Sequence, residues 1–112
     1  MQKVFALYLD DLRTPKEHGN AWTLARTYDE AIALCRDSCP DFVSFDHDLG
    51  DGPSGMDFAR WLVDRDIESD GKFMPSHFAY NVHSANVVGK SNIEGLIEGY
   101  LNHKYTPQYK RK

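Results

Sequence analysis

Residues 42–50 read Phe42-Val43-Ser44-Phe45-Asp46-His47-Asp48-Leu49-Gly50, and this stretch decides the fold class. An apolar run of strand length ends here in two carboxylates that flank an imidazole. A strand buried on both faces is expected to be apolar throughout. Charges at the end of such a strand cost burial energy unless a cation, a partner or a ligand meets them. The stretch therefore predicts a buried parallel strand that ends at a binding site.

The rest of the chain alternates between strand and helix patterns. A second apolar run, Val4–Leu9, leads directly into Asp10 and Asp11, and further strands are expected over 21–26 and 78–82. Thr27 and Ser54 are predicted N-caps of the first two helices, and a third helix follows the last strand. Polar residues 11–20 predict a loop. We expect the tryptophans and phenylalanines in the core.

This alternation predicts an α/β fold in three layers, with an open, flavodoxin-like parallel sheet between helices on both faces. About four strands are expected in the order 2-1-3-4. The topological switch then falls between strands 1 and 3, where ligands bind outside the carboxyl ends of the strands. Asp10-Asp11, Asp46-His47-Asp48 and His83-Ser84 would meet at that rim.

Composition narrows the function classes. The chain has 112 residues, 41% of them hydrophobic, which favours one folded domain over residues 1–103 followed by a short basic tail, 104–112. The formal net charge of -4 gives no general attraction to nucleic acid or to anionic membranes. No apolar stretch approaches the roughly 20 residues of a membrane helix. Cys35 and Cys39 are interpreted as reduced thiols of a cytoplasmic protein.

The acidic residues at the rim predict a metal site. Several carboxylates close together cannot all stay ionised without a cation, and a compact oxygen-rich site favours Mg²⁺. Asp11 and Asp46 are the preferred direct ligands, with Asp10 and Asp48 next. Adjacent residues on a strand point to opposite faces, so Asp10 and Asp11 are not both expected to bind the metal. The alternative is that these residues only cap helices or bond to loops.

Histidines at the rim suggest proton transfer. His47 and His83 can act as acid and base in one reaction because imidazole exchanges protons near neutral pH. Ser84 has a hydroxyl that can bind an oxyanion or act as a nucleophile. The alternative for each histidine is a loop hydrogen bond without chemistry.

Phosphate contacts are expected at the start of the last helix. Asn86, Gly89 and Lys90 combine free amides, a glycine and a cation there, although their spacing is not that of a P-loop. Arg13 is a second candidate for an anion contact. Its alternatives are a solvated loop arginine or an ion pair with the neighbouring acids.

The rim resembles that of receiver domains of two-component signalling. In those domains an acidic pair ends strand 1, a phospho-accepting Asp ends strand 3 and a Ser or Thr ends strand 4. Asp10-Asp11, Asp46 and Ser84 match this layout. The chain departs from it in lacking a fifth strand with a terminal lysine, so that the fold is expected to be truncated at the C-terminus.

A closer resemblance is to the cyclic-phosphate-processing receiver domains, a small receiver-like family of phages and bacteria. The motifs that carry it are 9–15 (Leu-Asp-Asp-Leu-Arg-Thr-Pro), 45–49 (Phe-Asp-His-Asp-Leu) and 83–86 (His-Ser-Ala-Asn) with Gly89. The resemblance implies a receiver fold that processes cyclic phosphates, at RNA ends or in nucleotides, instead of relaying phosphate.

These observations leave several functions open. The leading hypothesis is a Mg²⁺-assisted phosphoesterase in which one histidine activates water and the other protonates the leaving oxygen. Its partner would be a phosphate-containing small molecule or an RNA end. The alternatives are a module that binds a nucleotide or a protein without chemistry, and a signalling domain phosphorylated on Asp46. The Asp46-His47-Asp48 spacing also fits a phosphatase that uses Asp46 as its nucleophile.

Overall fold

The structure is a computed structural model that describes residues 4–15 and 22–106. The elements follow the predicted alternation, and each strand is four residues long. In chain order they are β1 (Ala6–Leu9), β2 (Trp22–Ala25), α1 (Tyr28–Cys35), β3 (Phe42–Phe45), α2 (Gly55–Glu68), β4 (Ala79–Val82) and α3 (Val87–Tyr105). None of these helices is both long enough and apolar enough to cross a membrane.

All four strands are parallel and lie in the order β2-β1-β3-β4, which confirms the predicted sheet. The last paired residues, Leu9, Phe45 and Val82, are in register. The pairing continues one residue further, because the Asp46 amide donates to the Leu9 carbonyl and the His83 amide to the Phe45 carbonyl, both at 2.9 Å. The residues that follow each strand therefore begin at one level of the rim.

The three helices pack on one face of the sheet. The crossovers from β2 to β3 and from β3 to β4 run in the same direction, so right-handed connections place their helices on the same side. The ring of Phe58 in α2 lies 6.1 Å from that of Phe45, and the Tyr80 hydroxyl donates to Glu98 of α3. This face holds the buried core, with Leu7, Leu9 and Val43 fully buried.

The other face has no helix among the residues that the structure describes. Residues 16–21, between β1 and β2, lie outside the described part of the chain. The second helical layer expected from the sequence is therefore not seen in the described residues. Trp22 and Phe42, which the sequence placed in the core, lie half-buried on this face beside Tyr8.

The predicted N-caps of α1 and α2 are confirmed. Thr27 accepts a hydrogen bond from the Glu30 amide, and Ser54 forms a reciprocal capping box with Asp57. Gly55, the first residue of α2, passes so close to the Asp46 carbonyl that a Cβ there would lie 1.9 Å from the oxygen. A glycine at this position thus allows α2 to begin directly beneath the rim.

Helix α3 is held by a buried ion pair. Lys104, which the sequence placed in the tail, lies in α3 and donates to Asp66 at 2.7 Å. Asp66 is fully buried and also accepts hydrogen bonds from the Tyr100 hydroxyl and the Met74 amide. Residues 107–112 of the predicted tail lie outside the described residues.

Candidate metal centre

The rim residues divide into two sets because side chains alternate along a strand. The first residues after β1, β3 and β4 are directed by this alternation toward the open face, and they are Asp10, Asp46 and His83. The residues that follow them are directed toward the face that carries the helices, and they are Asp11, His47 and Ser84. Contacts agree with this division for the two histidines. The His83 ring stacks on Tyr8 of the open face at 4.6 Å, whereas the His47 ring packs against Gly89 of α3.

The two imidazoles have different surroundings. His83 stacks on Tyr8 of the open face, whereas His47 packs against Gly89 of α3. Side-chain alternation accounts for this difference, because His47 follows β3 by two residues and His83 follows β4 by one. No hydrogen bond or ring contact joins the two among residues 4–15 and 22–106, and their cooperation as acid and base stays a prediction.

Asp10, Asp46 and His83 form a group that can hold a metal ion. One ligand atom from each lies within 4.8 Å of the other two. Asp10 is 1% exposed and Asp46 is 6% exposed, so both carboxylates are buried. Neither Asp11 nor Asp48 belongs to this group in the described chain, although the sequence ranked Asp11 ahead of Asp10. Asp11 is the next residue along the chain, so alternation directs it to the other face, and its carboxylate lies near Gly50.

Asp10 is a firmly held carboxylate. Its Oδ1 accepts hydrogen bonds from the amides of Leu12 and Arg13, and its Oδ2 lies 2.9 Å from His83 Nε2 and 3.2 Å from Arg13 Nε. Burial by itself would raise the pKa of this carboxyl. The two amides, His83 and the Arg13 guanidinium outweigh burial and hold the pKa of Asp10 below its usual range. Asp10 is therefore ionised at neutral pH.

Asp46 has the opposite electrostatic environment. Burial, and then the negative charge of Asp10, raise its pKa above the usual range of an aspartic acid. The Ser84 hydroxyl and the charges of His83 and Arg13 oppose this rise without cancelling it. A cation between the two carboxylates would relieve this repulsion, so the donor chemistry fits a metal.

His83 belongs to a chain of hydrogen bonds across β3 and β4. Its Nδ1 lies 2.8 Å from Ser44 Oγ, which lies 2.6 Å from Asn81 Oδ1. If Ser44 donates to Asn81, both His83 nitrogens must be donors and the ring is charged. If the Asn81 amide is rotated, Ser44 donates to Nδ1 and the ring is neutral. The chain thus accommodates two protonation states with the same heavy-atom positions.

In both states His83 Nε2 donates to Asp10. Coordination by this nitrogen requires loss of that proton, so the two carboxylates are the primary metal donors. An oxygen donor set suits Mg²⁺ or Mn²⁺, and added imidazole shifts the preference toward Mn²⁺ or Zn²⁺. Sequence reasoning missed Ser44 and Asn81. The sequence does show one polar residue within each of two predicted strands, but only the strand register reveals that Ser44 and Asn81 are paired.

His47 and Asp48 join the loop after β3 to α3. Asp48 accepts from Asn86 and lies 2.9 Å from His47 Nδ1, and these two contacts hold its pKa below the usual range. Asn86 is the N-cap of α3 and accepts from the Gly89 amide at 2.8 Å. That amide is therefore not free for a phosphate. Gly89 is needed because a Cβ there would lie 2.4 Å from the His47 ring.

The remaining predicted residues are placed as follows. Lys90 is exposed, and its amide donates to the Asn86 carbonyl, so that amide too is used within the helix. Ser84 accepts from the Asn86 amide and lies beside Asp46. The Arg13 side chain forms the expected ion pair with Asp10 but stays 56% exposed, so much of its guanidinium can face an anion. A phosphate contact by Asn86, Gly89 or Lys90 stays a prediction.

Arg26 is a supporting residue that the sequence did not indicate. Its guanidinium donates to the carbonyls of Asp10 and Arg13 and to the Thr14 hydroxyl. It thereby fixes the loop that carries Arg13 past the metal group. The two cysteines take no part, since Cys35 and Cys39 are buried free thiols and burial raises the pKa of each to about 12.

A parallel 2-1-3-4 sheet with carboxylates after its first and third strands defines a receiver-like α/β domain. Residues 5–99 match the family model of the cyclic-phosphate processing receiver domain. The match covers most of the chain, so the chain belongs to this family. Neither a curated protein nor a solved structure matches the chain significantly.

Proposed function

We propose that the protein is a metal-assisted phosphoesterase that opens a cyclic phosphate, in a cyclic nucleotide or at an RNA end. The observation that carries this proposal is the in-register meeting of Asp10, Asp46 and His83, whose ligand atoms lie within 4.8 Å of one another. Membership in the cyclic-phosphate processing family supports the substrate class. A bound divalent cation, Mg²⁺ in the first instance, would neutralise charge on the phosphate oxygens.

The other groups have separate tasks in this proposal. The exposed part of the Arg13 guanidinium contacts a phosphate oxygen and orients the ring. Water attacks phosphorus, and one ring P–O bond breaks, which leaves a phosphomonoester. His83 in its doubly protonated state gives the proton of Nε2, the nitrogen that faces Asp10, to the leaving oxygen and keeps the proton of Nδ1 toward Ser44.

The proton released by water goes to a carboxylate oxygen of Asp46. Asp46 suits this task because Arg13 pairs with Asp10 and two backbone amides bond to it, which leaves Asp46 as the less engaged of the two acids. Each carboxylate has two oxygens, so one can hold a cation while the other accepts a proton. Between reactions the proton held by Asp46 returns to His83 Nε2 through solvent, which restores both groups, while Ser44 stays the partner of Nδ1.

The direct test is incubation with 2′,3′-cyclic nucleotides and with RNA that ends in a 2′,3′-cyclic phosphate. We expect a phosphomonoester product in the presence of Mg²⁺ or Mn²⁺, and none with EDTA. Asp46→Asn and His83→Gln should each lower the rate by at least about 100-fold. Asp64→Asn, on an exposed position of α2, is the matched control and should retain the rate. Absence of product with every divalent cation tested would refute the proposal.

A phospho-accepting receiver is the second candidate, because Asp46 directly follows β3 and the Ser84 hydroxyl acts on it. This candidate requires a stable aspartyl-phosphate after incubation with a small phosphodonor such as acetyl phosphate. An intact mass without added phosphate would exclude it. If calorimetry instead shows that a cyclic nucleotide binds and is recovered unchanged, the protein is a binding module.

A further inference from the structure

The open face of the sheet carries a groove beside the metal group. The groove has a volume of about 520 Å³, within the range of small-molecule sites. Its apolar wall consists of the rings of Tyr8, Trp22 and Phe42, which lie on three neighbouring strands. Tyr8 and Trp22 are 5.5 Å apart, and Trp22 and Phe42 are 6.0 Å apart, both in edge-to-face contact. Half-buried rings in such an array present aromatic surface to a ligand.

The groove is continuous with the metal group. His83 lines the groove and contributes to the metal group, and its ring stacks on Tyr8 with an interplanar angle of 5°. Arg13 also lines the groove and contacts Asp10. A ligand whose phosphate lies at Asp10 and Asp46 would therefore extend into the groove.

Polar groups accompany the aromatic wall. Asn81 is exposed at the groove, and in the orientation in which Oδ1 accepts from Ser44 its Nδ2 has no hydrogen bond within residues 4–15 and 22–106. A side-chain amide of this kind can read the edge of a heterocycle. Aromatic surface combined with an unused amide suits a planar, nitrogen-containing ring better than it suits an aliphatic chain.

We propose that this groove binds the nucleobase of a nucleoside cyclic phosphate, so that the substrate is a nucleotide and not merely a cyclic phosphate. The proposal rests on the proposed function for the position of the phosphate. The base stacks against the wall formed by Tyr8, Trp22 and Phe42, and Asn81 donates from Nδ2 to an acceptor on the base edge. Stacking accepts every base, whereas the single amide adds at most a modest preference.

The test compares two ligands that differ only in the base. The Trp61→Phe variant leaves Trp22 as the only tryptophan, so quenching of its fluorescence reports on the groove directly. Adenosine 2′,3′-cyclic phosphate and methyl ribofuranoside 2,3-cyclic phosphate are titrated with EDTA present, which prevents metal-dependent turnover. We expect the ligand with a base to quench Trp22 and to bind roughly 5- to 150-fold more tightly.

Phe42→Leu removes one ring of the wall and keeps an apolar side chain. It should weaken the adenosine ligand and leave the base-free ligand unchanged. Phe73→Leu, at a half-buried ring near α2, is the matched control and should affect neither ligand. If circular dichroism shows that Phe42→Leu is unfolded, the comparison of the two ligands with the groove unsubstituted still tests whether the base contributes to binding.

Equal affinity for the two ligands would overturn the inference, as would equal weakening of both by Phe42→Leu. Turnover separates this result from the proposed function. If both ligands are hydrolysed at equal rates and bind with equal affinity, the proposed phosphoesterase activity stands and base binding in the groove is refuted. If binding depends on the base but no metal supports hydrolysis, base binding in the groove stands and the phosphoesterase activity is refuted.

Discussion

The close packing of His47 on Gly89 leads to a quantitative prediction for the Gly89→Ala variant. The new Cβ would lie 2.4, 2.6 and 2.8 Å from three carbons of the His47 side chain, whereas ordinary contacts begin near 3.4 Å. The imidazole must then retreat by about 1 Å, and overpacking of this kind costs about 1–3 kcal/mol. Helix propensity offsets at most about 1 kcal/mol of that cost.

The same helix supplies the controls. A Cβ at Gly95 or Gly99 meets no atom within 4 Å, so alanine there should stabilise the protein by about 0.5–1 kcal/mol. Gly89→Ala should melt about 4–12 °C below Gly95→Ala, since 1 kcal/mol shifts Tm by about 4 °C in a domain of this size. In a His47→Ala background the clash is absent, and Gly89→Ala should become stabilising.

Thermal unfolding followed by circular dichroism measures all of these variants. Equal Tm values for Gly89→Ala and Gly95→Ala would refute the assigned packing of His47 on α3. A Gly89→Ala variant that stays destabilising without the imidazole would refute it too, because the clash would then lie elsewhere.

Two further predictions concern the buried acids. Asp46→Asn removes a buried charge beside Asp10 and should stabilise the metal-free protein by about 0.5–2 kcal/mol. We also expect Mn²⁺ to raise the Tm of the unsubstituted protein and not that of the variant; a lower Tm of the variant in EDTA would contradict this. Although burial opposes it, Lys104, Tyr100 and the Met74 amide hold the pKa of Asp66 below its usual range, so its stabilisation is present above the unfolded-state pKa and is lost as pH falls through the folded-state pKa. Asp66→Asn should therefore cost about 3–5 kcal/mol at pH 7 and progressively less in acid, as measured by urea unfolding; a cost that does not change with pH would contradict the ion pair.

The rim could be predicted from sequence because it depends on strand order and on where apolar runs end. Strand alternation with helices determines the 2-1-3-4 order, and Asp10 and Asp46 directly follow apolar runs of strand length. The choice between two adjacent acids depends on finer detail. The sequence analysis prefers Asp11 as a ligand, whereas Asp10 belongs to the metal group in the structure, because alternation along β1 directs Asp10 to the side of Asp46 and His83.

The hydrogen-bond chain behind His83 depends on the register. Ser44 and Asn81 pair across β3 and β4, and their side chains meet because paired residues on neighbouring strands point to the same face of the sheet. Read separately, each is a polar residue in a short strand. Arg26 is a similar case, since its contacts with the loop at 10–14 join two elements that are adjacent only in the folded sheet.

The open face differs from the prediction, which places helices on both faces of the sheet. In a 2-1-3-4 sheet, right-handed crossovers place the helices after β2 and β3 on one face, and the other face carries no helix among residues 4–15 and 22–106. The presence of large aromatic residues on that face is therefore not explained by packing of a helix against the sheet. Tyr8, Trp22 and Phe42 lie there next to His83, which is where a base would be needed if the phosphate binds at the metal group.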